Sequence, residues 1–249
     1  MKKFRIGQIV PSSNITMETE IPALLKSREM ISPERFTFHS SRMRMKHVTK
    51  EELSAMDADS DRCALELSDA QVDVMGYACL VAIMSMGHGY HRTSQERLTQ
   101  VVRSNDSRGA VVNSAGALIE ALQAMNARKV AVIAPYMKPL AQVVFDYIAH
   151  EGFEVIDSRA LEIQNNLAVA AHDPMKLPGI AQSLDYRDAD VIVLSACVQM
   201  PSLAAVPAVE AATGKPVVTA AIATTWSMLR ALGLSTSVPG GGALLSGIH

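Results

Sequence analysis

The chain has 249 residues, of which 49% are hydrophobic and 19% charged, and its formal net charge at pH 7 is −2. A chain of this length and composition buries a sizeable core in one or two domains, which excludes an intrinsically disordered protein. Charges of both signs nearly cancel, so the composition offers no electrostatic basis for binding nucleic acid or an anionic membrane.

The N-terminal sequence and the cysteine content indicate the compartment. Pro11 and the polar run after it interrupt any signal-peptide pattern, and no stretch reaches the roughly 18 consecutive apolar residues of a membrane span. The chain has three cysteines, an odd and sparse set that is not typical of a disulfide framework. We therefore expect a cytoplasmic protein without a membrane span, whose free thiols are available for chemistry.

Short apolar runs alternate with helical patterns along the chain, which is typical of an α/β fold with parallel sheets. The predicted strands are, in chain order, Arg5–Val10, Phe36–Ser40, Val72–Tyr77, Ala110–Val112, Val130–Ala134, Glu154–Asp157, Val191–Leu194 and Pro216–Thr219. The predicted helices include Lys50–Ser68, Ser94–Val102, Gly116–Met125, Leu140–Glu151, Leu203–Ala212 and Ala223–Leu232. Thr49 is expected to cap the first of these helices, and Gly233 to end the last.

An internal repeat relates the two parts of the chain. Three short segments recur in the same order. A strand ending in proline is seen as Ile6–Pro11 and again as Val130–Pro135, and a strand ending in Ala-Cys as Gly76–Cys79 and Leu194–Cys197. A strand that opens a helix is seen as Ala110–Ala115 and Pro216–Ala221. The repeat predicts two similar four-stranded parallel-sheet α/β domains related by pseudo-two-fold symmetry. We assign residues 1–114 together with residues 221–249 to the first half, and residues 115–220 to the second.

Chemically distinctive residues follow the predicted strands at equivalent positions of the two halves. The loop 11–14, Cys79, the pair Pro135–Tyr136 and Cys197 all come at carboxyl ends of strands. Ligands of open parallel sheets bind beyond these ends. If the halves face one another, both cysteines reach one central cleft.

The setting of each cysteine indicates its role. Pro201 suits the first turn of a helix, so we expect Cys197 just before a helix N-terminus, which lowers a thiol pKa. The helix after Cys79 is expected to begin later, after Ala82. Cysteines are commonly small buried hydrophobic residues, but matching positions in a repeat favour a function for these two. Cys63 has no counterpart and is predicted to be structural.

Several polar residues allow two interpretations. Asn14 can cap the helix that follows it, or its amide can donate to a substrate carboxylate beside Cys79. Tyr136 can offer its hydroxyl to a second carboxylate, or lie half-buried at the sheet edge. Asn165 and Asn166 precede an apolar run, so an N-cap is the expected role for this pair.

Other motifs predict no metal or cofactor site. His88 and His91 are spaced like a metal pair, but no third ligand accompanies them, so a glycine-hinged surface loop is expected. The segment Pro239–Gly242 lacks both the lysine of a phosphate-binding loop and the glycine spacing of a dinucleotide fold. It is interpreted as a flexible terminal segment.

In combination, the Pro-Ser-Ser-Asn, Gly-Tyr-Ala-Cys, Ala-Pro-Tyr and Ser-Ala-Cys-Val-Gln-Met segments resemble the aspartate/glutamate racemase superfamily and, within it, bacterial maleate isomerases. The resemblance implies a cofactor-free enzyme, usually a homodimer, with its active site in the cleft between two α/β domains. It implies that Cys79 is the nucleophile and Cys197 the second catalytic cysteine. It also implies contacts to the substrate carboxylates from Asn14, Tyr136 and Asn166, and from the backbone at Leu80, Val81 and Val198.

The implied reaction is the conversion of maleate, a small dicarboxylate, to fumarate. Related arylmalonate decarboxylases keep only the cysteine of the second half, and the presence of both argues against that activity. A two-cysteine amino-acid racemase of the aspartate/glutamate or hydantoin type remains the alternative enzyme. A two-lobed ligand-binding protein is the non-enzymatic alternative, but it leaves the paired cysteines unexplained.

Overall fold

The computed structural model describes residues 2–249, which form two four-stranded sheets with every strand pair parallel. The first sheet has the order β2-β1-β3-β4 and the second the order β6-β5-β7-β8. The strands are β1 (Lys3–Pro11), β2 (Arg35–Met43), β3 (Val74–Tyr77), β4 (Ala110–Asn113), β5 (Lys129–Ala134), β6 (Glu154–Ala160), β7 (Val191–Ser195) and β8 (Val217–Thr219). All eight predicted strands are present.

Helices cover the sheets. They are α1 (Met17–Arg28), α2 (Lys50–Asp69), α3 (Leu80–Ser85), α4 (Tyr90–Ser104), α5 (Ser114–Ala124), α6 (Lys138–His150), α7 (Asn166–Ala170), α8 (Leu177–Gln182), α9 (Val206–Thr213) and α10 (Ala220–Ala231). Every residue of the inner strands β3 and β7 is buried, as parallel strands packed on both faces require. None of the helices described for residues 2–249 combines the length and apolar character that crossing a membrane requires.

Side chains at the helix ends explain where several elements begin and stop. The Thr49 hydroxyl accepts the Glu52 N–H and caps α2, as predicted. Gly233 has φ +67° and follows the end of α10, also as predicted, because a left-handed residue ends a helix at low cost when it is glycine. The two halves also start helices alike: Asn113, the last residue of β4, caps α5, and Thr219, the last residue of β8, caps α10.

The C-terminal helix α10 follows the second sheet in the chain but packs on the first. It contacts β3 and β4, together with α1 and α5. Gly76 of β3 makes this approach possible, because a Cβ there would lie 2.1 Å from the Met228 Cε. The packing supports grouping residues 221–249 with residues 1–114, and this division of the chain stays a prediction.

Candidate active site

A small cavity lies beyond the carboxyl ends of the strands and is lined from both halves. Both predicted catalytic cysteines line it, together with five residues that the resemblance implicates in substrate binding. The lining residues are Pro11, Asn14, Met45, Val48, Cys79, Val81, Tyr136, Asn166, Cys197, Val198 and Gln199. None of them is acidic or basic, so an anion bound here meets only neutral polar groups, thiols and apolar side chains.

Cys79 sits at the turn from β3 into α3, in a conformation that L-amino acids rarely adopt. Its φ of 101° and ψ of 70° lie in the left-handed region, and Ala82 and Ile83 donate to its carbonyl oxygen at the start of the helix. Strained residues of this kind concentrate at functional sites. The helix begins at Leu80, so the expectation of a start after Ala82 was wrong.

Burial controls the protonation of the Cys79 thiol. Burial in this apolar site, with smaller contributions from Cys197 and Asp57, raises the pKa of Cys79 to about 12. The hydrogen bond from the Ala82 N–H acts in the opposite direction but is outweighed. Cys79 is therefore a neutral thiol at pH 7 in the free protein.

Cys197 lies at the end of β7, but no α-helix follows it directly. Residues 198–200 form a turn, and the next regular element is a 3-10 helix at Leu203–Ala205. The expected helix start at Pro201 was wrong, because the Glu20 carboxylate binds the N–H groups of Ser202 and Leu203 and draws this segment onto α1. Burial raises the pKa of Cys197, against the lowering that we expected, although the Tyr136 hydroxyl and the Gln199 N–H lower it in part.

The predicted polar residues take distinct places around the cavity. Asn14 is buried, and its Oδ1 accepts the N–H of Met17, the first residue of α1, at 3.0 Å, although the N-cap residue of that helix is Thr16. This contact leaves the Nδ2 donor group of Asn14 for a ligand. The side chain also lines the cavity. The Tyr136 hydroxyl donates to the Ala196 carbonyl at 3.3 Å, and Tyr136 is only 7% exposed, so a half-buried position at the sheet edge is excluded.

The two consecutive asparagines have different roles. Asn165 caps α7 by accepting the N–H groups of Leu167 and Ala168, as predicted for the pair. Asn166 is instead the first residue of α7, and its side chain turns into the cavity, where Nδ2 donates to Ser13 Oγ at 2.7 Å. The N-cap interpretation was therefore wrong for Asn166.

The predicted backbone contacts fall on two turns. Val81 and Val198 line the cavity, whereas Leu80 is buried beside it. Leu80 and Val81 form the first turn of α3, where backbone N–H groups have no acceptor within the helix. These groups are the donors nearest in sequence to Cys79.

The structure also corrects the interpretation of the histidines. His88 lies in an exposed loop, as expected, and stacks on His150 with ring centroids 4.0 Å apart. His91 is instead buried near the start of α4, where its Nδ1 lies 2.6 Å from the Tyr147 hydroxyl. Among residues 2–249, no group of three or more His, Cys, Asp or Glu side chains could hold a metal ion. Cys63 is fully buried in α2 and outside the cavity, as predicted.

Comparison with known proteins identifies the family. A family model described as arylmalonate decarboxylase matches residues 6–245. The maleate isomerase of Pseudomonas putida is 68% identical over 246 residues, which cover 99% of this chain and 98% of the relative. The chain belongs to the maleate isomerase family.

Solved structures of this family agree with the fold described above. A Pseudomonas putida maleate isomerase, solved with maleate as a cysteine-to-alanine variant, has 71% identity and a TM-score of 0.98 over 99% of this chain and 98% of its own. The Nocardia farcinica maleate cis-trans isomerase, solved as a cysteine-to-serine variant with a covalently bound succinylcysteine intermediate, has 45% identity and a TM-score of 0.94 over 98% of each chain. The resemblance and the α/β fold of two parallel sheets are confirmed.

The sequence predicted no role for three of the residues that line the cavity: Met45, Val48 and Gln199. Met45 and Val48 lie in the loop between β2 and α2, far along the chain from Cys79 and Cys197, and no local pattern identifies them. Gln199 lies two residues after Cys197, and this proximity is the one feature of the sequence that could have indicated its place in the cavity.

Proposed function

We propose that the protein isomerises maleate to fumarate by transient addition of the Cys79 sulfur to the double bond. The main support is that Cys79 and Cys197, from equivalent positions of the two halves, line one enclosed cavity without charged side chains. Family membership supports the same reaction, since 68% identity to a maleate isomerase extends over almost the whole chain.

In the first step, the Cys79 thiol loses its proton to solvent, and the resulting thiolate attacks an alkene carbon of maleate, so that a carbon–sulfur bond forms as the π bond opens. The electron pair moves into the carboxylate on the neighbouring carbon, giving an enediolate. We assign its stabilisation to the neutral donors of Asn14, Tyr136 and Asn166 and to the backbone N–H groups at residues 80, 81 and 198. Donors already in place are effective in a site that excludes water.

In the second step, the Cys197 thiol gives its proton to the carbanionic carbon and becomes a thiolate, leaving a succinyl thioether on Cys79. The former double bond is now single and can rotate. The Cys197 thiolate then removes a proton from the same carbon, the carbon–sulfur bond breaks, and fumarate is released. Cys197 ends as the thiol, and Cys79 leaves as the thiolate and regains a proton from solvent, so both residues return to their starting states.

The experiment that tests this proposal follows maleate by proton NMR with the protein and no additive. Wild type should convert maleate to fumarate, Cys79→Ser should show no turnover, and Cys63→Ser should match wild type. Cys197→Ser should accumulate a succinyl adduct, seen by intact mass and mapped to the peptide that contains Cys79. A racemase forms no carbon–sulfur bond, so rapid maleate turnover without any trapped adduct would contradict the mechanism.

We also propose that the protein is a homodimer of the cytoplasm. The family resemblance supports the dimer, and free thiols at Cys63, Cys79 and Cys197 are typical of a reducing compartment. Size-exclusion chromatography with light scattering tests the dimer, since a monomer at micromolar concentration would contradict it.

A further inference from the structure

The Gln199 side chain connects three segments that line the cavity. It is 3% exposed, and its Nε2 donates to the carbonyl oxygens of Ser13 at 2.8 Å and Asn166 at 3.0 Å. Its Oε1 accepts the Ile15 N–H at 3.0 Å. All three contacts lie outside its own segment: two go to the loop before α1 in the first half, and one goes to the start of α7 in the second.

The main chain of Gln199 is held as firmly as its side chain. The Thr16 hydroxyl donates to the Gln199 carbonyl oxygen at 2.6 Å, and the Gln199 N–H points to the Cys197 Sγ at 3.4 Å. Asn166 Nδ2 also donates to the Ser13 hydroxyl at 2.7 Å, so Ser13, Asn166 and Gln199 are bonded in a closed triangle.

Glutamine suits this position because the site presents two acceptors and one donor. An amide supplies two N–H groups and one oxygen, whereas a carboxylate supplies oxygens only and a hydrocarbon supplies neither. A buried group left without its partner loses the full hydrogen-bond free energy of that contact. Replacement of the amide therefore releases the loop before α1, the start of α7, or both.

We propose that Gln199 is the positioning residue that sets where Asn14 and Asn166 stand relative to the two thiols. Asn14 lies between the two residues of its loop that Gln199 holds, and Asn166 is held directly through its carbonyl oxygen. The inference rests on the proposed function, in which both asparagines bind substrate carboxylates. The Gln199 side chain acts through these two asparagines, and only its main-chain N–H, which every substitution except proline keeps, reaches a thiol, that of Cys197.

Gln199→Met tests the proposal because it keeps the size of the side chain and removes all three of its hydrogen bonds. A misplacement of about 1 Å can lower an enzymatic rate about 100-fold, and we expect a loss of that order in kcat/KM for maleate, with a raised KM. Alkylation of Cys79 by iodoacetamide, a neutral reagent that needs no carboxylate contacts, should change by less than about twofold. Gln142→Met, on the exposed face of α6, is the matched control and should leave both rates unchanged.

Gln199→Glu supplies a second test, which can be carried out even if the methionine variant does not fold. When ionised, its carboxylate faces two carbonyl oxygens, and when protonated it regains one donor. Its kcat/KM relative to wild type at the same pH should therefore rise as the pH falls from about 8 to about 6, because burial raises carboxyl pKa values into that range.

Each outcome decides between the alternatives. A KM and kcat for Gln199→Met equal to those of wild type, a parallel loss of maleate and iodoacetamide reactivity, or a flat ratio for Gln199→Glu would overturn the positioning role. Wild-type turnover of maleate is measured in the same series, and its absence would instead overturn the proposed function.

Discussion

At the residue scale, Cys79 combines two unfavourable features, a raised pKa and a left-handed backbone. Both follow from its place at a sharp strand-to-helix turn in an enclosed apolar cavity. The raised pKa keeps the free thiol neutral and protects it from other electrophiles. The proposed addition therefore uses a Cys79 thiolate that is scarce at neutral pH but strongly nucleophilic.

The raised pKa predicts how the reactivity of Cys79 depends on pH. Well below a pKa of about 12 the thiolate fraction grows tenfold per pH unit, so alkylation by iodoacetamide should accelerate about tenfold per unit between about pH 6 and pH 9. The rate is measured by mass spectrometry of the Cys79 peptide, with Cys79→Ser as the control for the other thiols. A plateau below pH 9 would mean a thiol of lowered pKa and would contradict this prediction.

The backbone strain at Cys79 predicts an unusual order of stability among inactive variants. Glycine adopts φ 101° without strain, so Cys79→Gly should be more stable than Cys79→Ala by about 1–2 kcal/mol. Cys63 lies inside the right-handed helix α2, where the order reverses and glycine should be less stable than alanine by about 1 kcal/mol. Urea unfolding of the four variants measures both differences. Equal stabilities of the two Cys79 variants would mean that the turn stores no strain.

At the scale of elements, much of the architecture could be predicted because apolar runs mark buried strands. The edge strands β2 and β6 extend beyond their predicted ends, since their exposed and half-buried residues weaken the apolar signal there. The short helices α3, α7 and α8 depend on tertiary packing and have little periodicity of their own. The repeat located both cysteines, but the helix start after Cys79 and its absence after Cys197 could not be predicted. The second depends on Glu20, which lies 182 residues from Ser202 in the chain.

The packing of α10 on β3 predicts a coupling between Gly76 and Met228. A methyl group at Gly76 would lie 2.1 Å from the Met228 Cε and 3.4 Å from Met17 and Thr224 atoms. Gly76→Ala should therefore destabilise the protein by about 1–3 kcal/mol through overpacking. In Gly76→Ala with Met228→Ala the added methyl fills part of the vacated space, so the double variant should lose less stability than the two single variants together.

Gly179 provides the control for this comparison of single and double variants. It lies in α8, where a Cβ would meet no atom within 4 Å, so Gly179→Ala should leave the free energy of unfolding unchanged or raise it slightly. Additive effects of the Gly76 and Met228 substitutions would contradict the close packing of α10 on the first sheet.

At the scale of the whole molecule, the active site depends on contacts that cross between the halves. On one side, Gln199 and Glu20 fasten the segment after Cys197 to the loop before α1 and to α1 itself. On the other, α3 packs on α6, and the Tyr147 hydroxyl of α6 contacts His91 of α4. The two thiols lie between these contacts, so their relative position is a property of the interface between halves.

Glu20 allows this dependence to be measured. Its Oε1 accepts the N–H groups of Ser202 at 2.6 Å and Leu203 at 2.7 Å, and the carboxylate is buried. Glu20→Gln keeps an acceptor oxygen for both donors and removes the charge, so its free energy of unfolding should stay within about 1 kcal/mol of wild type. Glu20→Ala leaves both donors unpaired, and it should lose about 3 kcal/mol of stability and much of the activity that depends on Cys197.

The pH dependence of the same pair of variants separates charge from geometry. Burial raises the pKa of Glu20 above its ordinary value of 4.5, more than the hydrogen bonds from Leu203 and Ser202 lower it. A carboxyl with a raised folded-state pKa contributes stability below the unfolded-state value and loses it as the pH rises through the folded value. Urea unfolding should thus show Glu20→Gln gaining on wild type between about pH 4 and pH 7, while Glu20→Ala stays below Glu20→Gln at every pH. If Glu20→Ala matched Glu20→Gln in stability and turnover, this contact would not hold the Cys197 segment in place.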